Sequence, residues 1–191
     1  MKRFLLSFVL VLFLAGCLVP EQFSAEVKVS ADGSYTFKYA GVTAYLVALS
    51  KVHSSDKDNS LYQADAEKML RRPEFKKAEY LNNGRYDLEI EYHKKPGESL
   101  KMFDVFSVST DKDGIMTIST VLVKPKDRQQ LEQVGVAVDG KLSVTLPSNV
   151  EVISHNATST PYFFGLFGNY IWDITRFEQQ PMMKVKINTE H

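Results

Sequence analysis

The sequence predicts an α+β fold: a mostly antiparallel, curved sheet with two short helices inserted after the first hairpin. Three observations carry this. Alternating residues around an Asp-Gly turn open the chain after its leader, apolar residues recur at helical spacing between residues 42 and 70, and a run of alternating segments separated by turn signals fills the rest.

Ser24 to Ser30 alternates Ala25, Val27 and Val29 against Glu26, Lys28 and Ser30. Asp32-Gly33 follows, and both residues tolerate the positive φ of a tight hairpin, so the strand returns from Tyr35 to about Ala40. Val42, Tyr45, Leu46, Leu49 and Val52 then fall at helical spacing over residues 42 to 54. A polar loop, His53 to Ser60, precedes a second helix. Ser60 and Gln63 stand in capping-box relation, Leu61, Ala66, Met69 and Leu70 supply its buried side, and Pro73 ends it.

The remainder reads as a meander. Phe75 to Leu81 turns at Asn82-Asn83-Gly84 into Arg85 to His93, where Tyr86, Leu88, Ile90 and Tyr92 share one face. Pro96-Gly97 leads to Ser99 to Ser109. Asp111-Lys112-Asp113-Gly114 leads to Ile115 to Lys124, with Ile118, Thr120 and Leu122 on one face. Residues 125 to 134 read as a polar loop or one helical turn. Leu142 to Leu146, Val150 to Ser154, Tyr170 to Phe177 and Met183 to Ile187 are the last predicted strands.

Before the hairpin stand Lys2 and Arg3, an apolar run from Phe4 to Leu14 broken by Ser7, and Leu14-Ala15-Gly16-Cys17. The run is short for a membrane span, which needs about 20 apolar residues, and suits a secretory signal. An ordinary secretory signal or an uncleaved anchor helix would share most of these features. Leu-Ala-Gly-Cys closing such a signal resembles the lipobox of bacterial lipoproteins. The resemblance implies cleavage before Cys17, diacylation of its thiol and acylation of the new amino terminus. It divides the chain into a signal peptide (1–16), a lipidated tether (17–23) and a single α+β envelope domain (24–191). It also implies a palmitate-bearing membrane protein of the cell envelope. Leu18, rather than aspartate, follows the cysteine, which favours an outer-membrane anchor facing the periplasm in a diderm organism.

Composition narrows the function. Cys17 is the single cysteine, so a lipidated chain has no thiol left for a disulfide and depends on its core. Loss of Lys2 and Arg3 with the signal leaves 21 basic against 23 acidic side chains, near −2. That balance supplies no field for nucleic acid and no polybasic patch for anionic lipid. The expected partners are the membrane, through the acyl chains on Cys17, and either a lipid ligand or an envelope protein. No cofactor is expected.

The order of landmarks is also similar to the LppM-like domain of bacterial lipoproteins. These are the Cys17 lipobox, the Asp32-Gly33 hairpin leading into helices, the Leu146-Pro147-Ser148-Asn149-Val150 step, Asn156-Ala157 and the lone Trp172. The resemblance implies a membrane-tethered, partly barrel-like α+β domain that binds lipid or envelope components, with no catalytic residues to carry over.

Several segments are candidates for chemistry. Thr160 to Trp172 holds six aromatic residues punctuated by Pro161, Gly165 and Gly168, and can form core, a lipid pocket or a membrane contact. Tyr45, Leu49, Phe164, Phe167 and Trp172 are the expected lining of any pocket. Asp56, Asp58, Ser60, Tyr62, Ala64 and Glu67 match the ligand spacing of a calcium loop, but Leu61 replaces the glycine that the sharp turn needs. Asp111 to Gly114 reads as a hairpin turn, and His53, His93, His155 and His191 never pair at zinc spacing. Glu89 and Glu91 share a strand face that reads as solvated. Gly-x-Ser-x-Gly and phosphate-loop patterns are absent, so the sequence predicts a non-catalytic protein.

Overall fold

The computed structural model describes residues 18–50, 56–162 and 168–188. Its strands are β1 (Leu18–Val29), β2 (Tyr35–Tyr45), β3 (Phe75–Tyr80), β4 (Arg85–Lys94), β5 (Leu100–Met102), β6 (Phe106–Thr110), β7 (Ile115–Thr120), β8 (Asp139–Thr145), β9 (Val150–His155), β10 (Tyr170–Ile174) and β11 (Met182–Ile187). Its helices are α1 (Leu46–Ser50), α2 (Asp56–Leu70) and α3 (Pro125–Gln133). The α+β class and the helices after the first hairpin are as expected. The strands, however, divide between a six-stranded sheet, in the order β10-β8-β1-β2-β4-β3, and a five-stranded sheet, in the order β5-β6-β7-β11-β9.

One apolar core joins the two sheets. Val27, Phe37, Leu88, Leu142 and Val144 come from the larger sheet, and Phe106, Val108, Met116, Met183 and Val185 from the smaller. Phe106 meets three rings across the seam. Its ring lies 5.4 Å from Phe23, 5.6 Å from Phe37 and 6.0 Å from Tyr39. Beyond the reach of the smaller sheet, α2 packs on β3. Tyr62 of α2 sits 5.2 Å from Tyr80 and 5.7 Å from Tyr45, so aromatic rings fill that space.

Two asparagines bind the sheets together. Asn156 accepts from Trp172 Nε1 (2.7 Å) and the Met182 amide (2.8 Å), and donates to the Gln180 carbonyl. Asn149 donates to the carbonyls of Ala31 and Asn188. These landmarks therefore serve as structural ties.

Several expected boundaries move. Val42 and Tyr45 belong to β2, because β1 and β4 pair with that strand on both sides out to Leu18 and Arg85; Leu46–Ser50 is helical as expected, and residues 51–54 of the expected helix lie outside the described residues. Residues 18–23, expected as a tether, form the first half of β1 and pair with β2 through a bulge between Pro20 and Gln22. Within α2, Leu61 and Leu70 face solvent while Tyr62 and Ala66 are buried, so the packed face is rotated from the expected one. The strand expected from Ser99 to Ser109 is a hairpin, β5 and β6. Its turn places Phe103 and Asp104 at φ 53° and 55°, and without glycine it carries no turn signal. The ambiguous segment 125–134 is α3, started by Pro125 in its first turn. β8 lies parallel to β1, a pairing that a meander does not contain.

Candidate functional site

An apolar cleft opens where β1 begins, at one end of the seam between the sheets. Phe23 forms its floor because both flanking strands carry glycine opposite it. Gly41 and Gly140 are its register partners on β2 and β8. A Cβ on Gly140 would lie 2.3 Å from the Phe23 ring. One on Gly41, at φ +151°, would lie 2.1 Å from the Gln22 carbonyl oxygen. The ring fills the room that the absent side chains leave, and stacks 5.8 Å from Tyr39.

Val19 and Pro20 form one wall, Val105, Val121 and Val123 a second, and Ile174 and Phe177 a third. The cleft encloses about 50 Å³. Its polar rim is held in place: the Gln179 carboxamide accepts from the Thr175 and Arg176 amides and donates to the Asp173 carbonyl, which fixes the turn after β10.

Behind the start of β1, Glu21 is buried against Arg85. Arg85 Nε and Nη2 donate to its two carboxylate oxygens at 2.6 and 3.0 Å. The same guanidinium donates to the carbonyls of Asn83 and Gly135. This bidentate pair ties β1 to β4 and to the turn after α3. A second small cluster, Ala44, Leu131 and Val136, packs beside it with Val19, Val123 and Phe177 at its edge.

The expected pocket residues do not converge here. Tyr45 packs on Tyr62 and Tyr86, Leu49 joins the Ala44 cluster, and Trp172 is a buried tie to Asn156. Cys17, Phe164 and Phe167 lie outside the described residues, as do His53 and His191. Tyr162 is 75% exposed, and Tyr170 packs on His155 at 4.9 Å. The calcium-loop spacing from Asp56 to Glu67 falls wholly within α2, where a helical backbone cannot curl its oxygens around one ion. Asp111 accepts from the Asp113 and Ile115 amides in the expected hairpin turn. Glu89 and Glu91 lie on the face opposite Leu88 and Ile90, and Lys38 pairs with Glu91 at 3.3 Å. Sequence reasoning missed Val121 and Val123 because they extend an alternating strand pattern. The available signal was the nearness of Val19 and Pro20 to Cys17.

Displaced titrations have structural causes. Burial pushes the Tyr39 and Tyr86 hydroxyls well above the ordinary phenol range. Hydrogen bonds from Ser34 lower the Asp32 carboxyl, and the Asp87 carboxylate raises Lys77.

A PA14 domain model matches residues 21–130, well over half of the chain. The chain belongs to the PA14 domain family. The PA14 match runs from the bulge of β1 into α3, so it includes Phe23, Val105, Val121 and Val123. Ile174 and Phe177, the third wall of the cleft, come from the chain beyond the PA14 segment. The structure is also similar to the folded domain of LppM from Mycobacterium tuberculosis, at TM-score 0.42 and 10% identity, covering 92% of this chain and 93% of that one. No curated protein matches the sequence.

Proposed function

We propose that this chain is a lipid-anchored, non-catalytic binding domain of the bacterial cell envelope, and that it binds a partner with its surface rather than carrying a lipid inside. The acyl chains on Cys17 would hold it, on the outer membrane facing the periplasm in a diderm organism. Several chains on one cysteine exceed the two signals that stable anchoring needs.

Among the described residues, the observation that carries the choice between surface and interior is the size and lining of the hollows: a larger one, about 290 Å³, lies open on the sheet among Glu26, Lys38, Lys76, Glu89 and Glu91, whose charges do not suit an acyl chain. Tyr45, Tyr62, Tyr80 and Tyr86 occupy the space between α2 and the sheet. The cleft at the seam, about 50 Å³, is roughly a third of the ~150 Å³ cavity that holds a benzene ring. An acyl chain of membrane length does not fit in it. This supports a module that docks onto an envelope complex over a lipid carrier.

Native mass spectrometry of the mature chain, with lipid extraction, tests this directly. The expected mass is protein plus the covalent acyl groups on Cys17. A further stoichiometric, noncovalent lipid would overturn the surface reading. Cys17→Ala is expected to leave an unprocessed precursor without palmitate label. Mature-sized, labelled Cys17→Ala protein would refute the anchor.

A further inference from the structure

We infer that the end of the domain bearing the cleft lies against the lipid bilayer, with Val121 and Leu122 as its apolar contact. This inference rests on the acylation of Cys17 proposed above, and identifies the surface that acylation brings to the membrane.

The argument starts from where β1 begins. Leu18, the residue after Cys17, is already buried in strand pairing with Tyr45. No slack separates the lipidated residue from the sheet, so the end of the domain around Leu18 must sit at the bilayer surface. β1 then runs for 12 residues, about 40 Å at 3.3 Å per residue, away from that surface. Its far end is the Asp32-Gly33 turn, which meets Ile187 and Pro96. β7 spans the same axis, from the turn at Gly114 beside Lys186 to Thr120 in the cleft. The domain therefore has a pole at the anchor and a pole remote from it.

The anchor pole carries an exposed apolar pair. Val121 and Leu122 are consecutive and 47% and 50% exposed. The backbone holds them there, since the Val121 amide donates to the Val105 carbonyl at 2.8 Å and Pro125 starts α3 three residues later. Val121 and Val19 line the same cleft, which places this pair beside the entry of the chain. Exposed Lys124 and Lys126 follow directly and Arg176 stands on the cleft's rim, while Arg128 pairs with Glu178. Apolar side chains flanked by cations match a membrane interface, with hydrocarbon below and phosphate beside it. The remote turns, at Asp32-Gly33 and at Asp111 to Gly114, present Asp32, Asp111 and Asp113 together with Lys112, and no exposed aliphatic pair.

The test uses the acylated mature protein, carrying Leu122→Cys or Asp113→Cys labelled with an environment-sensitive dye, on phosphatidylethanolamine–phosphatidylglycerol vesicles. Acylation leaves Cys17 without a free thiol, and intact mass reports its acyl groups. The expected result is a blue-shifted emission at position 122 that lipid-borne nitroxide quenches, with position 113 unaffected. Acylated protein that floats with the vesicles while position 122 stays aqueous, or while both positions enter lipid, would overturn the docking inference alone. Protein without acyl groups on Cys17 would overturn the anchor reading and this inference with it.

Discussion

Phe23 occupies its place only because Gly140 and Gly41 flank it, and a double-mutant cycle measures that dependence. In Gly140→Ala the new Cβ would stand 2.3 Å from the Phe23 ring, so the ring or the strand must shift by more than 1 Å to reach ordinary van der Waals contact. The ring cannot move freely, because Tyr39 stacks on it and Phe106 meets its edge. Overpacking of this kind costs about 1–3 kcal/mol. In a Phe23→Ala background the obstruction is gone, and Gly→Ala within a strand should gain roughly 0.5–1 kcal/mol from reduced backbone entropy. The coupling between the positions is then about 1.5–4 kcal/mol, a large share of a typical stability of about 5–15 kcal/mol. Urea unfolding of the four chains, each starting at residue 17 and carrying Cys17→Ser, reads it out through Trp172 fluorescence and far-UV circular dichroism. Trp172 is the single tryptophan and is buried. Equal effects of Gly140→Ala in both backgrounds would refute the reasoning.

Two further outcomes follow from other parts of the molecule. Arg85→Met should cost about 3 kcal/mol, because it leaves the Glu21 carboxylate buried without its bidentate partner; adding Glu21→Met should restore most of that loss, and urea midpoints that stay low in the double variant would contradict the pairing argument. Alkali should unfold the protein through its buried tyrosines. Tyr35, Tyr39 and Tyr86 have raised pKa values, chiefly from burial. Above the unfolded phenol value of about 10 the unfolded chain binds fewer protons than the folded one, so stability falls as pH rises past that point. Ultraviolet titration of the nine tyrosines should show some ionising only together with loss of circular dichroism. Ionisation of all of them near pH 10 with the fold intact would contradict the burial argument.

Local pattern alone determined much of this protein. Alternation marked the β1–β2 hairpin and β4, Asp-Gly and Asn-Asn-Gly marked their turns, and Pro73 closed α2, because each signal acts within a few residues. Position in the chain was enough to single out Cys17. Tertiary structure decided the rest. Val42 and Tyr45 are extended because two neighbouring strands bind that backbone, which outweighs their helical spacing. Tyr62 rather than Leu61 turns inward because Tyr80 and Tyr86 wait opposite α2. The hairpin at Phe103 and Asp104 forms against local preference, and Phe103 packs edge-on at 5.3 Å against Tyr39. The parallel β1–β8 pairing joins residues more than a hundred positions apart, and β11 reaches back over β8 to β10 to pair with β7 in a second sheet, both beyond the range of any periodicity. The candidate site belongs to this second kind: Val19, Val121 and Phe177 form one surface only after the sheets have packed. Residue 17 was singled out by its sequence neighbours alone, whereas strand pairing with β2 put residue 18, which follows it, at one end of the domain.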